Sequence, residues 1–199
     1  MQLDIPSGSF AAVIFDLDGT LADTMPLHHR AWQQQLALHD CPFPESLFYS
    51  LGGIPARGVV QRLNEAYDLA MDPQAVATAK EQRYLDLLDT VEPIPAVRDF
   101  MLDQHNQRPL AVATGSLRDI AARTLEALGL THYFDAIVCA EDYEHGKPAP
   151  DVFLITAERL GVVPEQCLVF EDAGPGLEAA RAAGMTVVHV PSHPTPSSP

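Results

Sequence analysis

The sequence predicts an α/β fold: a doubly wound (Rossmann-like) parallel-sheet core with an α-helical domain inserted after its first strand. Three observations predict it. Strand-length apolar runs without polar alternation recur along the chain, the pattern of strands covered on both faces. Helix-like stretches of about three turns separate the later runs, as βαβ units require. Residues 25 to 92 contain no such run.

Taken in order, the first strand is "AVIF", residues 12 to 15, and it runs straight into Asp16-Leu17-Asp18. Three helix-like segments follow, over 26–39, 54–69 and 73–88. In the last, Val76, Ala79, Arg83, Tyr84, Leu87 and Leu88 roughly follow a three-to-four spacing and predict one packed face. "VEPIPAV", with Pro93 and Pro95, reads as the linker back to the α/β domain. Strands are then expected within 109–116, 134–142, 167–174 and 185–190, and helices over 117–128, 150–160 and 175–183. Pro150 and Pro175 suit first-turn positions; Gly129, Gly161 and Gly184 sit where C-terminal caps belong. The division expected is 1–24 with 93–190 as the α/β core, 25–92 as the helical insertion, and 191–199, rich in proline and serine, as a disordered tail.

The totals exclude several classes. A chain of 199 residues, 47% hydrophobic, supports one good core with a small appended domain. The net charge of −15, without a basic run, disfavours nucleic acid and anionic membrane as partners. The longest apolar runs are strand-length, and the N-terminal residues show no secretory pattern. Three cysteines, Cys41, Cys139 and Cys167, are widely spaced without a CxxC pair, which suits a reducing cytoplasm rather than a disulfide framework. A monomer is the default, since no heptad or long apolar edge is present.

The chemistry lies where strands end. Open parallel sheets bind ligands at the carboxyl ends of their strands. Residues two apart on an extended segment share a side, so Asp16 and Asp18 are expected to face one site while Leu17 turns away. Two unpaired carboxylates there cost several kcal/mol, so something positive must join them. Thr114-Gly115-Ser116 ends the second core strand and leads into a helix whose first amides suit an anion. "HGKPAP" brings Lys147 to a helix start, and Glu171-Asp172 ends a later strand. Of twelve basic residues only Lys80 and Lys147 are lysines, which singles out Lys147. Asp16, Asp172 and Glu171 are hard oxygen ligands suited to Mg²⁺. An aspartate so placed can attack a phosphoryl group, with Asp18 as acid and then base, Lys147 offsetting charge, and Thr114 with nearby amides holding oxygens. His28, Lys80, Gly52 and Arg57 in the insertion carry weaker signals.

These motifs, "DLDGTLADT", "ATGS", "GKPAPD" and "FEDAGPG", resemble those of the haloacid dehalogenase superfamily in identity and order, over the whole chain except the tail. Stretches such as "HRAW", "HYFDAIV" and "AARAAGM" are similar to its β-phosphoglucomutase-like sugar phosphatases. The resemblance implies Asp16 as nucleophile and Asp18 as acid and base. It implies Mg²⁺ held by the Asp16 side chain, the Asp18 carbonyl and Asp172, with Glu171 nearby or ligating, and Thr114 and Lys147 on the transferring group. The insertion becomes a mobile cap hinged near Asp23-Thr24 and Pro93-Pro95, with His28 in a proton relay and Lys80 facing phosphate. The function implied is a Mg²⁺-dependent phosphatase acting on fructose 1-phosphate or a related hexose phosphate.

A phosphomutase is the nearest alternative. The mutase's other cap lysine is replaced by Gly52 and its asparagine after the second motif by Arg118, which favours one-phosphate hydrolysis; Arg57 or Arg118 is a substitute cation. A receiver-type signalling module also gathers acids, a hydroxyl and a lysine. It would place its phosphoacceptor on a middle strand, without a helical insertion after the first.

Overall fold

In the computed structural model, which describes residues 3–52 and 54–191, five strands form one parallel sheet in the order β3-β2-β1-β4-β5. These are β1 Ala12–Phe15, β2 Leu110–Ala113, β3 Ala136–Val138, β4 Cys167–Glu171 and β5 Thr186–His189. The order reverses direction at β1, between β2 on one side and β4 on the other. That is the switch point where a doubly wound sheet opens a crevice. Register then fixes which residues meet there. Phe15 pairs with Phe170 and Val112, so the chain positions just beyond, Asp16, Glu171 and Ala113, lie side by side.

Alternation along β1 and β4 explains the two apolar faces. Ile14 and Val169 join a cluster with Phe153, Val152, Ala179 and Ala180 on one face. Phe15 and Phe170 stack at 5.1 Å on the other, and Phe100 packs on Phe170 at 4.8 Å. The first face is covered by α7 Asp151–Leu160 and α8 Gly174–Ala182. Phe100 comes from α5 Pro95–Gln104, and α6 Arg118–Ala127 completes the helices of the core. The anticipated caps hold for Gly129, Gly161 and Gly184, whose φ angles are +69°, +67° and +79°.

The helical segment comprises α1 Met25–Leu36, α2 Glu45–Ser50, α3 Ala56–Tyr67 and α4 Pro73–Leu85. Its own core gathers Trp32, Leu36, Phe43, Phe48, Val60, Leu63, Met71 and Val76. The chain divides into two compact units, one of residues up to Asp23 with those from Glu92 onward, the other Thr24–Val91. Asp72 caps α4, accepting from the Gln74 and Ala75 amides at 2.9 Å each.

Several expectations need correction. The linker reading stops at Ile94: Pro95 opens α5, whose Val97 and Met101 are buried. Prolines suggested a linker, but a proline in the first turn costs a helix nothing. The short α2 was not anticipated. The third core strand ends at Val138 rather than reaching residue 142, because residues 140–142 wind into a 3₁₀ turn in which Asp142 accepts from the Cys139 amide at 2.8 Å. Pro150 precedes the first turn of α7 rather than occupying it, and Lys147 lies in the loop before that helix. The buried stripe of α4 runs through Val76, Ala77, Lys80 and Tyr84 instead of Ala79 and Arg83. A pattern search for apolar residues cannot place a lysine in a buried stripe. The anticipated disordered tail lies, from residue 192, outside the described residues. Among the described residues no helix is long and apolar enough to cross a membrane.

Candidate active site

Asp16 follows β1 directly, and its amide still donates to the Phe170 carbonyl at 3.0 Å, so its backbone is held in sheet register. Its carboxylate is buried and receives the Lys147 ammonium at 2.6 Å. Lys147 also donates to Glu171 at 2.7 Å and lies over the Phe153 ring at 5.1 Å. Leu17 is fully buried, as alternation requires. On the same turn Asp18 accepts from the Ser116 hydroxyl at 2.6 Å. Leu17 also anchors that turn, its carbonyl accepting from the Leu21 and Ala22 amides at 3.1 and 2.9 Å.

Glu171 uses its second oxygen on the Asp172 and Ala173 amides, at 3.1 and 3.0 Å, so the carboxylate is held between backbone and lysine. Asp172 accepts from the Thr20 hydroxyl at 3.1 Å. Two glycines make room for these acids. Gly19 has φ +83°, and a Cβ there would stand 2.5 Å from the Asp172 carboxylate. A Cβ on Gly176 would overlap the Glu171 carboxyl.

Thr114 is buried at the end of β2, where its amide donates to the Val138 carbonyl at 2.9 Å. Its hydroxyl accepts from the Ser116 amide at 3.0 Å, and its carbonyl accepts from the Tyr143 hydroxyl at 3.2 Å. Gly115 between them is exposed.

Charge is out of balance in this cluster. Asp16, Glu171 and Asp172 offer ligand oxygens within 4.8 Å of one another, and the Lys147 ammonium pairs with the first two. Burial, then the neighbouring Glu171 and Asp172, push Asp16 well above the usual carboxylate range despite Lys147. Burial and Glu171 push Asp172 up to about 7. Burial alone would lower Lys147, but Asp16 and Glu171 outweigh it and hold the ammonium above its ordinary range. Excess negative charge from hard oxygen donors beside a fixed ammonium is a donor set that fits a small divalent cation.

Seven residues singled out in the sequence therefore meet at the carboxyl end of the sheet: Asp16, Asp18, Thr114, Ser116, Lys147, Glu171 and Asp172. Thr20 and Tyr143 join them without having been singled out. Thr20 stands inside the quoted "DLDGTLADT", whereas nothing local distinguishes Tyr143. Within the helical unit, Lys80 lies 2.8 Å from His28 Nδ1 and 3.0 Å from Glu81, and the His28 ring stacks on Tyr84 at 4.0 Å. Lys80 is only 4% exposed, so these contacts hold a buried cation. Arg57 and Gly52 are exposed.

Comparison with known proteins agrees with this geometry. A family model described as "haloacid dehalogenase-like hydrolase" matches residues 10–184. The chain is 46% identical over 182 residues to the fructose-1-phosphate phosphatase YqaB of Escherichia coli (strain K12), covering 91% of this chain and 96% of that one. It is 35% identical over 183 residues to the phosphorylated carbohydrates phosphatase of Thermotoga maritima, covering 89% and 83%. Among solved structures, β-phosphoglucomutase from Clostridium difficile superposes with a TM-score of 0.79 at 28% identity, covering 89% of this chain and 83% of that one.

Proposed function

This chain belongs to the haloacid dehalogenase-like hydrolase family and is a hydrolase; from that premise we propose that it cleaves small sugar phosphates, fructose 1-phosphate or a related hexose phosphate, through an aspartyl phosphate. The observation that carries the reading is the Asp16 carboxylate, buried at the end of β1 and pinned at 2.6 Å by an ammonium that also binds Glu171.

In the first half-reaction an Asp16 oxygen attacks phosphorus and the ester P–O bond breaks. Asp18 gives its proton to the leaving sugar oxygen. In the second, Asp18 takes a proton from water as the water attacks, the Asp16–phosphorus bond breaks, and inorganic phosphate departs. Thr114 and Ser116 hold the phosphoryl oxygens at the end of β2, and Lys147 offsets their charge while keeping Asp16 in line. The Asp16 and Asp172 side chains and the Asp18 carbonyl, with Glu171 alongside, would hold Mg²⁺, which would supply neutralisation of charge on the transferring group.

Phosphate release from fructose 1-phosphate and a panel of hexose and pentose phosphates tests this directly. Mg²⁺-dependent release from at least one is expected; none at all rejects the phosphatase reading, and isomerised sugar phosphate instead of free phosphate identifies a mutase.

Cation binding also carries a pH signature. With its folded pKa raised from the carboxylate range to about 7, Asp172 costs the metal-free protein stability progressively as pH rises from about 4 to 7. Below 7 an entering cation must also displace its proton. At one sub-saturating Mg²⁺ concentration, the rise in Tm over the chelated protein is therefore expected to be larger at pH 8 than at pH 6. Equal shifts at both would show that Asp172 takes no part.

A further inference from the structure

The loop between β2 and α6 is held from outside by groups that the reaction does not use. Leu117, at the N-cap of α6, has no side chain able to cap it. Glu141, from the turn after β3, supplies the cap: both its oxygens lie 3.0 Å from the Arg118 amide. The adjacent Ala140 amide donates to the Ser116 carbonyl at 3.0 Å. Asp142 then ties the side chains together. Both its oxygens are 2.6 Å from one Arg118 nitrogen, and one is 2.7 Å from Arg159 on α7. Arg159 is itself fastened to the Ile137 carbonyl at 3.1 Å. The Asp142 side chain is 11% exposed beneath two guanidiniums that face solvent, Arg118 at 51% and Arg159 at 39%, so one carboxylate is shared and covered by both.

We propose that Glu141, Asp142, Arg118 and Arg159 form a clamp that sets the position of Thr114 and Ser116, and thereby the affinity of the loop for a phosphoryl group. The inference rests on the reading of that loop as the phosphoryl-binding one. None of the four is asked to touch the ligand; they are positioning residues. The clamp also corrects the sequence expectation for α6, because its first amide is committed to Glu141 and is not free for an anion. Arg118, a substitute cation in the sequence reading, spends its guanidinium on Asp142.

The sign of one substitution separates positioning from simple charge. Asp142 is an acid close to an anion-binding loop, so Coulomb's law alone says that neutralising it tightens phosphate binding. Loosening the loop does the opposite. Affinity for inorganic phosphate is measured with Mg²⁺ present, by equilibrium dialysis with radiolabelled phosphate and by product inhibition, for wild type and Asp142→Asn. We expect Asp142→Asn to weaken phosphate binding and raise KM by about tenfold, the scale of effect that small displacements produce. The Arg118→Gln and Asp142→Asn losses are expected to be less than additive in the double variant. Unchanged or tighter phosphate binding overturns the clamp, including when Tm falls, since a merely structural role lowers the folded fraction and not the affinity of what remains folded. Should Asp142→Asn fail to fold, Arg159→Gln, which removes the outer half of the clamp, is expected to shift affinity in the same direction and decides by the same criterion. Because dialysis needs no turnover, a wild type that binds phosphate but hydrolyses no sugar phosphate rejects the proposed function while leaving the clamp to be judged by the variant. A wild type that binds no phosphate overturns the clamp, and the proposed function is then decided by phosphate release alone.

Discussion

Asp16→Asn is expected to lower turnover by roughly four orders of magnitude or more while leaving the fold intact, since the substitution hardly changes volume but removes the nucleophilic carboxylate together with its charge. The stability result should run the unexpected way. Asp16 is destabilised in its charged form by burial and by Glu171 and Asp172, with Lys147 opposing. An amide relieves that repulsion, and Lys147 keeps Glu171 at 2.7 Å. In chelator the variant's Tm is therefore expected to be no lower than wild type's. Acid-quenched wild type incubated with substrate should carry a phosphoryl adduct by mass spectrometry, and Asp16→Asn none. Substantial turnover by the variant would reject Asp16 as nucleophile.

Lys147→Met should fail in both respects, and its stability loss should depend on pH. The ammonium is shared by two buried carboxylates at 2.6 and 2.7 Å, with its own side chain 14% exposed. Removing the cation of such a pair leaves uncompensated buried charge, a cost of about 3–5 kcal/mol. Methionine keeps most of the volume, so the loss reports charge rather than a cavity. The wild-type ammonium is held above its ordinary range and stays charged from pH 5 to 9. In the variant, Asp16, already raised, escapes the cost by binding a proton as pH falls. Urea unfolding is expected to show a deficit at pH 8 that shrinks toward pH 5, and Mg²⁺ should restore part of it at pH 8. Equal stability at pH 8, or retained activity, would remove Lys147 from the assigned role.

Much of the site was legible because its residues stand next to strand ends, where local pattern and position in the sheet coincide. Asp16 follows four fully buried residues, and Glu171 ends five more. Once those runs are read as parallel strands, their acids must share an edge of the sheet. α5 was hidden because Pro93 and Pro95 read as a linker over the start of a helix whose buried face becomes necessary only when β1 and β4 present Phe15 and Phe170 to that side. The stripe of α4 was misread because Lys80 lies within it. Asp142 was invisible for a different reason. Its partners Arg118 and Arg159 are 24 and 17 residues away on separate helices, and no local pattern marks an acid that waits for them.

By itself, then, the sequence determined the parallel sheet, the helical insertion and the chemical identity of the groups at the strand ends, because periodicity and strand termini are local properties. Tertiary structure alone decided the partner of each group: that Lys147 bridges Asp16 and Glu171, that Ser116 serves Asp18, and that Glu141 caps α6. Those pairings are set by strand order and register, which bring distant segments within 3 Å, and no periodicity along the chain encodes a distance of that kind.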